Sequence, residues 1–178
     1  MTRLFNQPVS EATGQAAQLF GAIKSAVGMV PNAYASLGNN SPVALEAVLT
    51  LDGALKKSSL NAKDIEVIKL AVSEAVNCDY CIAAHTVFGK KTGLSREAIL
   101  AIRHGQPSGD VHNDALASFS RYLITAHGTV PVEVLAAVKA AGISDTQIAD
   151  TSMVIAAITF TNIFNRINDT TLDFPAAD

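Results

Sequence analysis

Residues 66–85 read EVIKLAVSEAVNCDYCIAAH, and the fold and chemistry expected of the chain follow from this stretch. It holds the only two cysteines, Cys78 and Cys81, with His85 four residues beyond the second and Glu66 in the run before the first. Ile65, Ile68, Val72 and Ala75 recur at three- and four-residue steps, the spacing of one buried helical face, while Glu66, Lys69 and Ser73 lie on another. Asn61 and Asp64 start this helix. Asn77 and Asp79 interrupt it, and a second helix is predicted from about Cys78 to Lys91, ended by Gly93. Glu66 reaches His85 only if the chain reverses near Asn77, so the two helices are expected to form an antiparallel hairpin.

A cysteine at a helix start sits among unpaired backbone N–H groups and the positive end of the helix dipole, which favour thiolate over thiol. The β-carbons of residues three apart in a helix are roughly 5 to 6 Å apart, against about 3.5 to 4.5 Å in a disulfide, so reversible closure needs a small adjustment of the first turn. His85 lies one turn beyond Cys81 on the same face, where its imidazole can take a proton from a thiol or return one to a leaving oxygen. Other readings stand beside this one. Two cysteines, a histidine and a carboxylate can fill a tetrahedral zinc site, although ligands within one turn of a single helix strain that geometry. The cysteines can also be two inert buried thiols, and Glu66 can pair with Lys69 on the solvated surface.

Outward from the hairpin, the pattern stays helical. Residues 10–27 place Ala16, Phe20, Ile23 and Val27 on one face, Gly28 and Pro31 end that run, and residues 32–37 form a short segment before Gly38, Asn39 and Asn40. Ser41 with Pro42 opens a helix to about Lys56 that turns Leu45, Val48, Leu49 and Leu55 inward. Ser95 caps a helix to about Arg103, and residues 105–110, GQPSGD, make the clearest loop. Asp110 caps the next helix, with Leu116, Phe119, Leu123 and Ile124 inward as far as His127. Residues 131–141 form another, and Ser144 with Gln147 is a capping box for a last long helix to about Ile167. That helix carries apolar residues on more than one face and is therefore central or shared with a neighbouring subunit; buried subunit hydrogen bonding is the expected use of Asn162, Asn165 and Arg166. His104, His112 and His127 lie near helix ends, where the dipole favours a cation. No two-residue alternation is sustained, so no sheet is expected.

Composition narrows the function. At 178 residues, 49% apolar and 16% charged, the chain suits one packed domain over residues 1–178. A net charge of −3, a pI near 5.8 and no Trp argue against a nucleic-acid partner. The N-terminal residues lack the apolar run of a signal peptide and no run is long enough to span a bilayer, so a cytoplasmic location with no membrane partner is expected. In that reducing compartment a Cys-x-x-Cys pair is more often redox-active or metal-binding than a structural staple.

The pattern of Glu66, eleven residues, Cys78-x-x-Cys81, three residues and His85 resembles the carboxymuconolactone decarboxylase and alkyl hydroperoxidase D superfamily, as do the flanking GMVPNAYASLGNNSPVALEAVLTLDGAL and ITFTNIFNRINDTT. The resemblance implies an all-α, compact helical bundle assembled as a homo-oligomer (dimer, trimer or hexamer). It implies a peroxidase without a cofactor or metal, acting on an organic hydroperoxide with an external dithiol as reductant. Carried over, Cys81 attacks the peroxide and becomes a sulfenic acid, Cys78 condenses with it to a disulfide, and His85 with Glu66 relays the proton. Tyr80 stands where the best-known hydroperoxidase has a further histidine. The decarboxylase branch usually lacks the cysteine pair, and a cofactor-free lyase, a metal-binding protein and a non-catalytic helical oligomer are the alternatives.

Overall fold

A computed structural model describes residues 2–177, which form nine α-helices, a short 3-10 turn at Val9–Glu11 and no strand. The helices are α1 (Gly14–Val27), α2 (Asn32–Asn40), α3 (Pro42–Leu55), α4 (Ala62–Ala75), α5 (Asp79–Lys91), α6 (Arg96–His104), α7 (Val111–Thr125), α8 (Val132–Ala140) and α9 (Asp145–Asn168). The all-α class expected from the sequence is the observed one.

Local capping sets most of the boundaries. Ser41 Oγ accepts from the Ala44 N–H with Pro42 at the first helical position, and Ser95 Oγ accepts from Ala98. Asp110 accepts from both His112 and Asn113, and Asn61–Asp64 and Ser144–Gln147 form reciprocal capping boxes. Each satisfies backbone donors that have no partner inside the helix.

The centre of the bundle is α4. Val67, Ile68, Leu70, Ala71 and Val72 are all fully buried, and the helix packs against α5, α6, α7 and α9. Its polar residues Asp64, Glu66 and Ser73 are buried too and meet His112, His85 and Asn162 on the neighbouring helices, so the helix is enclosed although it is not apolar all round. The last helix, α9, which the sequence offered for that place, packs Val154, Ala157 and Ile158 inward and leaves Phe160, Ile163 and Ile167 exposed. By length and composition α9 is long and apolar enough to cross a membrane. Its buried face nevertheless carries Asn162, Asn165 and Asn168, which are hydrogen-bonded inside the bundle.

A second apolar cluster joins α1, α2 and α3 through Ala16, Phe20, Ile23, Leu37, Leu45 and Val48. Two expectations are corrected here. The first helix starts at Gly14, behind the separate turn at Val9–Glu11, and Val27 is exposed because the last turn of α1 runs past the cluster before Gly28 ends it at φ 85°. The second helix continues through Gly38 to Asn40. A Cβ at Gly38 would lie 2.5 Å from Phe20 Cε1, so glycine there permits close packing. The Asn39 and Asn40 carboxamides bond to the carbonyls of Gln7 and Phe5 in the N-terminal arm.

Candidate active site

The reversal between α4 and α5 falls at Asn77, which adopts φ 52°, a left-handed conformation that Asn tolerates better than most residues. Glu66 lies eleven residues before this turn and His85 eight residues beyond it, and the hairpin sets them side by side. His85 Nδ1 and Glu66 Oε2 are 2.7 Å apart, with both side chains nearly enclosed. The predicted reversal and the predicted carboxylate–imidazole pair are both present. The pairing of Glu66 with Lys69 is not: Lys69 Nζ reaches Asp52 at 3.4 Å, and Asp52 also accepts from the Tyr34 hydroxyl at 2.8 Å.

Cys78 is the N-cap of α5 and Cys81 lies in its first turn. Both are free and buried, 1% and 3% exposed, with their sulfurs 2.7 Å apart. A disulfide requires about 2.05 Å between sulfurs, so closure is a small motion. When both are protonated the Cys78 S–H can donate to Cys81; once Cys78 ionises, Cys81 becomes the donor. That hydrogen bond is the main reason the Cys78 thiol is lowered from its ordinary 9.0 to about 7. Cys81 is pushed up, chiefly by donating to Cys78 and then by burial, and its neighbour's negative charge adds to this. The resting charge of the pair therefore resides on Cys78, the sulfur nearest the unpaired N–H groups of the helix start.

Among the described residues no hydrogen bond joins His85 to either sulfur, so the thiol pair and the Glu66–His85 pair are two separate units on one hairpin. The imidazole packs edge-on against Phe88, which packs against Phe174, which packs against Tyr80 at ring distances of 5.7 to 5.8 Å. Residues 169–174 thus fold back over α5. The Tyr80 hydroxyl donates to Asp173 at 2.7 Å and accepts from the Ala33 N–H at 3.2 Å, while the other Asp173 oxygen accepts from the Asn32 N–H. Burial, then the Asp173 carboxylate, keeps Tyr80 protonated far above the usual phenol range, with Cys81 a smaller cause, and burial with Asp52 does the same for Tyr34. Tyr80 is a buried anchor for the C-terminal segment.

The sequence missed two members of the site. Asn162 and Asn165 on α9 are buried, and they face the thiol pair rather than a subunit boundary: Asn165 Nδ2 donates to Cys81 Sγ at 3.4 Å and Asn162 Nδ2 to Ser73 Oγ at 3.1 Å. Arg166 is exposed. The available signal was two carboxamides three residues apart on an apolar helix. Two histidines are placed as bystanders: His104 closes α6, whereas His112 sits at the start of α7, where the dipole disfavours a cation, and bonds instead to buried Asp64 at 3.1 Å. A cavity of about 230 Å³ beside the α6–α7 loop is lined by none of the four predicted site residues. Among the described residues no group of three or more His, Cys, Asp or Glu side chains is arranged to hold a metal ion.

The fold and site together define an all-helical protein with a buried Cys-x-x-Cys dithiol and an adjacent carboxylate–imidazole pair on one helical hairpin. The pattern of the Carboxymuconolactone decarboxylase family matches residues 42–117, which take in Glu66, Cys78, Cys81 and His85. None of the curated proteins matches by sequence. Among solved structures, a peroxidase-related protein from Ralstonia eutropha with an alkylhydroperoxidase AhpD core superposes with a TM-score of 0.83 at 18% identity, over 97% of this chain and 92% of its own. A debrominase crystallised with 2,3,4-tribromopyrrole gives a TM-score of 0.77 at 18% identity, over 94% and 90% of the two chains. A peroxidase-related protein from a Silicibacter species gives 0.78 at 19% identity over the same shares. Residues 42–117 thus carry the Carboxymuconolactone decarboxylase family pattern, and the fold of the chain is the one these solved structures share.

Proposed function

We propose that the protein is a single-domain, thiol-dependent peroxidase that reduces organic hydroperoxides through Cys78 and Cys81 and is recycled by an external dithiol. The observation that carries this reading is the juxtaposition of two free sulfurs 2.7 Å apart with a Glu66–His85 pair on the same hairpin. Cys81 is the attacking sulfur: it transfers its proton toward His85, and the resulting thiolate attacks the terminal peroxide oxygen. The O–O bond breaks, Cys81 becomes a sulfenic acid, and the departing alkoxide takes a proton from His85, which Glu66 holds in place. The Cys78 sulfur then attacks Cys81, the sulfenic oxygen leaves as water with the remaining thiol proton, and a disulfide results. The dithiol reductant restores both thiols. A cytoplasmic setting supplies such a reductant, and the exposed Phe160, Ile163 and Ile167 of α9 are the surface on which copies of the chain would assemble.

The test is dithiothreitol-supported consumption of cumene hydroperoxide by parent and Cys81→Ser. Loss of turnover in the variant supports the reading, and turnover at the parental rate overturns it. A second reading is favoured by the fold shared with the debrominase: the same dithiol could remove halogen from a halogenated heteroaromatic, two thiols becoming a disulfide as carbon–halogen becomes carbon–hydrogen. Dithiol-dependent bromide release from a bromopyrrole, without consumption of hydroperoxide, would favour it. A cofactor-free lyase would keep its activity when both cysteines are replaced and lose it with His85.

A further inference from the structure

Asn162 and Asn165 each use only half of their carboxamide. Their N–H groups are engaged at Ser73 and Cys81, yet both Oδ1 atoms are fully buried with no hydrogen-bond partner. Leaving a buried acceptor unsatisfied costs about 1–3 kcal/mol, and here two such oxygens stand one turn apart on the same helix, beside the thiols. Leucine would fill nearly the same volume on α9 without that cost. Ser73 is fully buried as well, so Asn162 is locked in place from below. The carboxamide N–H groups also favour charge on the sulfurs, Asn162 at both cysteines and Asn165 at Cys81.

A hydroperoxide has one hydrogen-bond donor, its terminal O–H, and the oxygen that carries it is the one a thiolate attacks. We infer that the Oδ1 atoms of Asn165 and Asn162 are the acceptors that receive this O–H and hold the terminal oxygen on Cys81. The inference rests on the peroxidase reading and adds its substrate selectivity. Site roles divide by chemistry: the carboxamide oxygens take the terminal O–H, the sulfur takes the terminal oxygen, and His85 returns a proton to the departing alkoxide. During the transfer the hydrogen stays on the terminal oxygen, which becomes the hydroxyl of the Cys81 sulfenic acid, so Asn165 and Asn162 remain paired with it throughout. A dialkyl peroxide, with no O–H, cannot satisfy these oxygens and is disfavoured, because a site built around a substrate hydroxyl discriminates strongly against analogues lacking it.

The experiment compares two single-turnover reactions in parent and Asn165→Leu: oxidation by cumene hydroperoxide, and modification by methyl methanethiosulfonate, which consumes thiolate but donates no hydrogen bond. The expected result is a melting temperature equal to or above that of the parent, and a hydroperoxide rate that falls at least about tenfold further than the methanethiosulfonate rate, the value of one hydrogen bond. Equal loss in both reactions would overturn the acceptor role and leave Asn165 acting on the thiol alone. A second variant, Asn162→Leu with Ser73→Ala, removes the other oxygen without orphaning the serine; the same divergence is expected there, and it decides the matter if Asn165→Leu does not fold. A parent protein that reacts with methanethiosulfonate and not with hydroperoxide would instead sink the peroxidase reading itself.

Discussion

Raising the pH from 6 to 11 should ionise the two thiols in widely separated steps. The Cys78 thiol is lowered from 9.0 to about 7, because the Cys81 S–H donates to its thiolate, and Cys81 is raised by that same bond and by burial. At pH 7 about half of Cys78 is then thiolate, against about one part in a hundred for a thiol at 9.0, a gain of roughly fiftyfold in the thiolate of the resolving sulfur. Linkage gives the corresponding stability profile. Between about pH 7 and 9 the folded pair has lost one proton that the unfolded chain retains, so stability rises with pH, by about 3 kcal/mol if the whole shift is realised. Above about pH 9 the unfolded chain loses both protons while Cys81 keeps its own in the fold, so stability falls again. The maximum lies near pH 9. Thiolate absorbance at 240 nm measures the ionisation without any reagent having to reach the buried sulfurs, and chemical denaturation at each pH measures the stability. Cys81→Ala removes the donor and should return the Cys78 midpoint toward 9. A parental midpoint already near 9, or one that Cys81→Ala leaves in place, would refute the reasoning.

Three further outcomes follow from the geometry. Glu66→Gln keeps the shape of the 2.7 Å contact and removes its charge; hydroperoxide turnover should fall by about 10²-fold or more, the scale of general acid–base catalysis, while thiol modification by methanethiosulfonate stays near parental. Tyr80→Phe deletes the hydroxyl that joins Asp173 to the Ala33 N–H; about 1–2 kcal/mol should be lost, and hydrogen exchange should quicken in residues 169–174 before it does in α4. Gly38→Ala places a methyl 2.5 Å from Phe20 and 2.7 Å from Leu45, so overpacking should destabilise the fold by about 1–3 kcal/mol in denaturant titration without changing the thiolate midpoint.

What was legible in the sequence is what short-range chemistry decides. Ser41–Pro42, Asn61–Asp64, Ser95, Asp110 and Ser144–Gln147 are capping arrangements completed within three residues, and all are present. The Glu66–His85 contact was readable for a related reason: the two residues flank a turn that Asn77 marks, eleven positions before it and eight after, so the hairpin brings them together. What escaped depends on distant parts of the chain. Asn165 meets Cys81 across 84 positions and Asn162 meets Ser73 across 89, and no local pattern reports which way a carboxamide on α9 faces. Gly38 read as a helix breaker because its partner Phe20 belongs to another helix. His112 read as a dipole-stabilised cation because its partner Asp64 lies 48 residues away. Tyr80 illustrates both sides: its burial between the cysteines suits a helix start packed into the core, but its bond to Asp173 shows only when the C-terminal segment folds back over α5.

The central claim, that Cys78 and Cys81 form a working redox pair, is tested most directly by one stoichiometric measurement. Reduced protein is mixed with a single equivalent of cumene hydroperoxide, and free thiols, intact mass and the cumyl alcohol formed are measured together. The account predicts that two thiols disappear for each alcohol produced, that the protein loses two hydrogens in mass as the disulfide closes, and that a dithiol reverses the change. Hydroperoxide left unconsumed while both thiols persist would contradict it.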